Sequence, residues 1–311
     1  MRLLLLKKTA AFLAFLWAAS SIIFFSVHAI PGDPTVSLLG NMPSAEDVRR
    51  LTRSLHLDRP LAEQYALFLK KTLTLDLGES IVDRRAVFGT IWRYFPNTAL
   101  LAFIAMILSL LISLPFAAMT AFDRKGCWRV LGAGFSALGI AVPGFLLGLL
   151  LIIVFSLRLH LLPVSGSGGP EFIVLPALTL AISLSASLTR IIHASLSQEW
   201  LQPYVLLARA KGLPDRRIFF RHILKNALIP VFILAGLQLG ALLSGAIVVE
   251  NVFSWPGIGT LLITAVRRRD FPMIQGVSLF MVFLYLSLNL LVDLVLPLVD
   301  PRIRCERAPQ R

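Results

Sequence analysis

Six stretches of this chain carry almost no charge, each about as long as a bilayer is thick, and that pattern limits the possible folds more than any other feature. A membrane-crossing helix needs about 20 consecutive, mostly apolar residues, because the hydrocarbon core is about 30 Å thick and a helix rises about 1.5 Å per residue. The six read as residues 9–27, 97–122, 130–157, 172–192, 231–249 and 276–299. Hydrocarbon offers the backbone no water to bond, so such segments must be helical. Composition agrees: 57% of residues are hydrophobic and the mean hydropathy is +0.79, whereas soluble domains are roughly half apolar. The expected class is an all-α membrane protein with six transmembrane helices.

Arg2, Lys7 and Lys8 precede the first run, as in a secretory signal. An h-region is about 7 to 15 residues long, however, and this run is longer, so it reads as an uncleaved first helix. Val27-His28-Ala29 is the triplet at which cleavage would fall under the opposite reading. The polar stretch 31–96 follows, its nine basic residues nearly balancing eight acids. Tyr65, Phe68 and Leu69 share one helical face there, which serves either packing or ligand contact; packing is favoured. In the second run Pro115 interrupts the hydrogen-bond ladder, which membrane helices tolerate. The third run carries Gly132, Gly134, Gly139, Gly144 and Gly148, small residues that let helices approach, and Pro143 offers a kink.

Between the fourth and fifth runs lies a basic segment, 203–230, where Arg209, Lys211, Arg216, Arg217, Arg221 and Lys225 stand against Asp215. Pro203 suits a first helical position and Gly212 a helix exit, and Pro214 then starts a second short helix. Helical spacing groups Tyr204, Leu207, Ala208 and Lys211 on one face. Such an elbow is either an interfacial helix among lipid headgroups or a contact surface for another subunit.

The formal charge of +13 and a pI near 10.7 do not call for nucleic acid, because the basic residues track the ends of the apolar runs. Three precede the first run, three follow the second, seven fall between Arg190 and Lys225, and four follow the last. Opposite them stand Arg158 and the cluster Arg267 to Arg269, the latter against the trend. Positive residues favour the cytoplasmic side, so both termini are expected there. No GxxxxGK[ST] motif is present, so nothing cradles nucleotide phosphates and any ATP chemistry must come from a partner. His28, His56, His160, His193 and His222 lack ligand spacing, Cys127 and Cys305 imply no disulfide framework, and no metal site is expected. Ser165 and Ser167 sit in a glycine-rich turn without a base, which argues against a protease. Gln238 and Ser244, polar at membrane depth, either bond a neighbouring helix or line a path. Glu250 meets a substrate or docking protein, caps a helix, or pairs with Arg267, Arg268 or Arg269. Asp293, on the last run, reads as structurally paired.

ARAKGL at Ala208, HILKNALIP at His222 and ENVFSWPGIGTLL at Glu250 resemble the permeases of binding-protein-dependent ABC importers, in the dipeptide, oligopeptide and nickel branch. PGDP at Pro31, LHLDRPLAEQY at Leu55, LDLGES at Leu75 and DPRIR at Asp300 extend the resemblance over nearly the whole chain. Leu206 and Leu207 stand where the broad importer signature has glutamate and alanine, which narrows the likeness to this branch. The resemblance implies a type I importer permease in the bacterial inner membrane, with a first helix and periplasmic segment over 1–93, a permease core over 94–299 and a tail over 300–311. It implies a coupling elbow near 203–217, with Tyr204, Ala208, Arg209, Lys211 and Gly212 as contacts to an ATPase, and an outer re-entrant gate at Glu250, Asn251, Trp255, Pro256 and Gly257. The partners it implies are a second, homologous permease, two ATP-binding subunits that hold ATP and Mg, and an extracytoplasmic solute-binding protein. The cargo would be a di- or oligopeptide or nickel, with a metal chelate as the alternative. An intramembrane enzyme would need paired catalytic residues at equal depth, and an ion channel would need no ATPase.

Overall fold

The computed structural model describes residues 2–29, 59–122, 126–244 and 246–299. The sequence features at Pro31 and at Asp300, and the first four residues of the Leu55 block, lie outside them. The described residues are helical apart from turns and one isolated bridge, Glu79 to Ala86. Five helical stretches are long and apolar enough to cross a membrane, and a bent pair makes a sixth.

Helix α1 (Arg2–His28) is followed by α2 (Leu61–Leu73). Phe24 meets both Tyr65 and Phe68 at ring distances of 5.4 and 5.3 Å, and the Ser21 and Tyr65 hydroxyls bond at 2.6 Å. The aromatic face of α2 is therefore a packing face. Helix α3 (Val87–Phe122) begins ten residues before the second apolar run and passes through Pro96 and Pro115 without a break.

The third run differs most from a simple span. It divides into α4 (Cys127–Ala141) and α5 (Gly144–Leu151), the latter continuing as a π-helical turn, Ile152–Arg158. The two halves are bent by 102°. Val142 is extended, at φ −83° and ψ 119°, because the ring of Pro143 excludes the residue before it from helical space. The sequence kink at Pro143 is thus a full corner.

A 3-10 turn (Pro170–Ile173) leads into α6 (Val174–Trp200), which extends eight residues past the expected end of the fourth run. Gly139 of α4 lies against Ala186 of α6, and Gly132 against Thr120 of α3; a side chain at either position would collide. Gly134 faces open space, so the glycines of this run are not all packing residues. Then come α7 (Pro203–Ala210), the single turn α8 (Asp215–Ile218), a π-helical turn (Phe219–Ile223) and α9 (Leu224–Leu243). The fifth run ends at Leu243, six residues early, and its remainder belongs to a separate short helix, α10 (Ile247–Val252). Helices α11 (Ile258–Arg267) and α12 (Phe271–Val299) complete the described chain.

These elements form two compact units, one of Met1–Ala99, Leu243–Asn251 and Pro256–Ser287, the other of Leu100–Leu242, Val252–Trp255 and Leu288–Arg311. The core of the first gathers Val87, Ile91, Ile258, Met273 and Val277. The core of the second gathers Leu188, Ile192, Val205, Ile218, Phe219 and Ile223, so the elbow helices are rooted in it. Large apolar side chains such as Phe15, Phe103, Leu111 and Phe232 are each about 60% exposed, as lipid-facing residues are.

Candidate functional site

Two local constructions stand out, and each lies within one unit.

The first is the elbow. Helix α7 opens on Pro203, whose missing N–H falls where no helical bond is required. It closes in a Schellman arrangement: Leu213 N–H donates to the Ala208 carbonyl at 3.2 Å and Gly212 N–H to the Arg209 carbonyl at 2.9 Å. The arrangement demands a left-handed residue at Gly212, whose φ is +74°. Pro214 follows as the cap of α8 and prevents the first helix from continuing.

Burial divides the elbow into two faces. Val205 and Ala208 pack into the core, and Leu213 packs beside them. Leu206 and Leu207 are 62% and 58% exposed, and Lys211, Gly212, Arg216, Arg217 and Arg221 are exposed with them. The face expected from spacing is therefore split: Ala208 points inward while Leu207 and Lys211 point outward. Ala208 is 8% exposed, so its side chain fixes the elbow rather than offering a contact.

Tyr204 is also a brace. Its hydroxyl donates to Glu199 Oε2 and accepts from Asn226 Nδ2, joining the end of α6 to the start of α9. Arg209 sits 5.2 Å over the Trp200 ring and bonds Asp215 Oδ1 at 3.0 Å. That ion pair is nearly half exposed, so it contributes well under ~1 kcal/mol and mainly orients the guanidinium.

The second construction is the turn between α10 and α11. Glu250 is fully buried, and its carboxylate accepts from Thr98 Oγ1 at 2.6 Å, Gly259 N–H at 2.8 Å and Thr260 N–H at 3.1 Å. The two amides are among the orphan donors that begin α11, and Gly257 at the cap position has no side chain to satisfy them. A carboxylate from nine residues away fills that role, with the positive end of the helix dipole as a further attraction. Thr98 also accepts from Ile258 N–H at 2.9 Å, and Asn97 Nδ2 donates to the Pro256 carbonyl at 2.9 Å. Glu250 lies outside the long spans, and burial pushes its carboxyl above the ordinary carboxylate range, while the bonds from Thr98, Thr260 and Gly259 pull the other way.

Of the roles open to Glu250, the helix cap is the one built. Arg268 pairs with Asp83 at 3.3 Å instead. Gly257 is required because any Cβ would occupy the Glu250 carboxylate, and at Gly259 a Cβ would fall 2.7 Å from the Ile247 backbone. Asn251 is exposed and Pro256 half-buried. Trp255 is buried with Leu101, Ile173 and Ala177 as an anchor of the other unit.

Of the polar groups at membrane depth, Ser244, in the turn after α9, bonds the Met281 carbonyl of α12 at 3.3 Å. Gln238 Oε1 and Asn289 Oδ1 are buried without a hydrogen-bond partner among the described residues. Asp293 is half-buried on α12. No group of three His, Cys, Asp or Glu among the described residues is arranged to hold a metal ion.

Sequence reasoning did not single out Thr98, Asn97, Ser80 or Asp270. Asp270 is buried, accepts from the Ser80 hydroxyl and from Ile81 N–H at 3.2 Å, and caps α12 through Met273 N–H at 3.4 Å. An aspartate two residues before Pro272 and ahead of an apolar run is a helix-start signal that would have found it. Nothing in the sequence links Thr98 to Glu250.

Residues 113–304 match the family described as binding-protein-dependent transport system inner membrane component, and residues 1–102 its N-terminal counterpart. The glutathione transport system permease protein GsiC of Escherichia coli strain K12 is 35% identical over 299 residues, 96% of this chain and 98% of that one. GsiC of Pectobacterium atrosepticum is 36% identical over the same shares. Among solved structures, an inward-facing MetNI methionine ABC transporter chain is similar over 68% of this chain and 96% of that one, with a TM-score of 0.56 and 15% identity. An amino acid ABC transporter with histidines is similar over 69% and 94%, with a TM-score of 0.52 and 19% identity.

Proposed function

Because the chain belongs to the binding-protein-dependent transport system inner membrane component family, we propose that it moves a short peptide, glutathione or a di- or oligopeptide, through an ATP-driven importer. It is a multi-pass inner-membrane permease subunit of the peptide-type ABC importers. The cargo is the proposal, supported by 35% identity over almost the full length to a permease named for glutathione, a tripeptide. Nickel or a metal chelate is the competing cargo.

The observation that carries the mechanism is the two-faced elbow. Its buried side is locked by the Schellman closure, the Tyr204 brace and the core around Val205 and Ala208. Its outer side carries leucines and cations, a surface suited to a groove with acidic and apolar walls. A rigid handle passes force to the helices behind it. We assign Leu206, Leu207, Arg209, Lys211 and Gly212 to the ATPase contact, with Tyr204 and Ala208 holding the handle in shape.

In this reading both termini and the elbow face the cytoplasm, as the distribution of basic residues favours. A second, homologous permease completes the pathway, two ATP-binding subunits bearing ATP and Mg dock on the elbows, and a solute-binding protein delivers cargo outside. Closure of the ATPase pair draws the elbows together and rocks the bundles as rigid bodies. Coupling follows if ATP and cargo stabilise different states. The Glu250-capped turn keeps the outer segment in one conformation.

The test is ATP-dependent uptake into vesicles holding the full transporter, with glutathione, a dipeptide and Ni2+ offered in turn. Uptake of the peptides alone supports the proposal. Uptake of Ni2+ alone would establish the competing cargo.

A further inference from the structure

A cavity of about 280 Å³ lies among α3, α4 and α6, within one unit. One wall, on α4, is mostly apolar: Gly132, Ala133, Ala137 and Ile140, with the buried Ser136 among them. The other end is polar and cationic: Arg190, His193 and Thr189 of α6, with Thr120 of α3.

The polar end is held in place. Thr120 Oγ1 donates to the Ala117 carbonyl at 2.7 Å, so the His193 Nδ1 contact at 2.9 Å is read as Nδ1–H donating to Thr120, which ties the imidazole to α3. Arg190 is exposed and makes no ion pair among the described residues. Thr189 is 2% exposed, and its Oγ1 is buried without a hydrogen-bond partner among the described residues. On the same helix Thr179 bonds the Leu175 carbonyl at 2.8 Å and Ser183 the Thr179 carbonyl at 3.1 Å, so the unsatisfied hydroxyl is particular to this level.

Depth identifies the ligand. Helix α6 has 27 residues and is therefore about 40 Å long, about 10 Å more than the hydrocarbon core. Arg190 lies ten residues before Trp200, about 15 Å from that end, which puts its guanidinium within reach of the headgroups on the elbow side. A cation at that level, opening beside apolar Leu131, Leu138 and Ile140 that are 51%, 67% and 49% exposed, suits an amphiphile. Basic pockets between membrane helices take up anionic headgroups in this way.

We infer that this cavity binds the phosphate of an anionic phospholipid, with Arg190 as the charge partner and an acyl chain along the exposed face of α4. The site lies on α6, the helix that runs directly into the elbow, so an occupied cavity steadies the base of the handle. A soluble phosphate shares the headgroup chemistry but has no use for the apolar wall.

The full-length chain is purified in detergent and titrated with phosphatidylglycerol, phosphatidylcholine or inorganic phosphate, with bound species read by native mass spectrometry. Phosphatidylglycerol is expected to bind in preference to phosphatidylcholine. Arg190→Gln should weaken it about fivefold, the contribution of one basic residue near anionic lipid. Ala137→Phe, which fills the cavity and leaves every charge in place, should weaken it as well, while Arg158→Gln should not. Equal loss on Arg158→Gln, or unchanged binding in Ala137→Phe, would reduce the effect to general surface charge and overturn the site. Binding of inorganic phosphate with no lipid preference would overturn the lipid assignment.

Discussion

Glu250 shows how much one residue can determine here. Three donors converge on its carboxylate, two of them amides that start α11 and one the hydroxyl of Thr98 on α3. Removing the carboxylate leaves buried donors unsatisfied, each at a cost of about 1–3 kcal/mol. Glu250→Ala should therefore lower thermal stability in detergent by about 2–4 kcal/mol, and Thr98→Val by less, because Glu250 keeps its two amides. If instead Glu250→Ala unfolded at the same temperature and changed only the Km for cargo, Glu250 would be a substrate contact and not a cap. Gly257→Ala is a matched test without loss of a polar group. Its methyl would displace the carboxylate, so its defect should resemble that of Glu250→Ala, and the double variant should be far from additive. From the sequence, Glu250 was recognisable as a position with several possible roles; its partner was not, because Thr98 is 152 residues away and no local pattern pairs them.

Among elements, the elbow was the most legible. Pro203, Gly212 and Pro214 mark a start, a stop and a restart by steric rules that need no tertiary information, and the structure follows all three. Which face turned inward was not legible, because Tyr204, Leu207, Ala208 and Lys211 satisfy helical spacing equally well on either side. Only the core around Leu196 and Phe219 decides that Val205 and Ala208 go in. The apolar runs fixed the number of crossings but not their ends: α3 starts at Val87 despite Arg93, and Pro143 makes a 102° corner in what reads as one continuous run. The closing glycine gives the element its test. Gly212→Val forces a β-branched residue toward left-handed space at a cost of about 1–2 kcal/mol. The loss falls on the elbow while the span behind it stays folded. Cargo-stimulated ATP hydrolysis by the assembled transporter should drop severalfold with little change in thermal stability, whereas unchanged stimulation would show that the elbow's shape is not transmitted. Lys211→Glu, exposed and remote from the core, should reduce co-purification of the ATPase and leave folding intact.

For the whole molecule, the division of labour follows from what the chain offers chemically. It has no phosphate-cradling motif, and its described residues hold no cluster suited to a metal ion, but it presents a braced cationic elbow and long helices with apolar outer faces. In the function proposed above, the chain contributes a path and a lever, while energy and much of the selectivity come from other subunits. That division makes a prediction about cargo. If selectivity resides mainly in the extracytoplasmic binding protein, replacing that protein with one specific for a different peptide should redirect uptake, with this chain unchanged. Calorimetry on the binding protein, with glutathione, dipeptides and Ni2+ as titrants, should rank cargo in the same order as vesicle uptake. A permease that rejects a peptide its binding protein holds tightly must carry a filter of its own. The buried amide oxygens of Gln238 and Asn289, which lack partners among the described residues, would be the first groups to change, by Gln238→Leu and Asn289→Leu. Matching rank orders, with both variants transporting at the wild-type ratio of cargoes, would place selection outside the membrane.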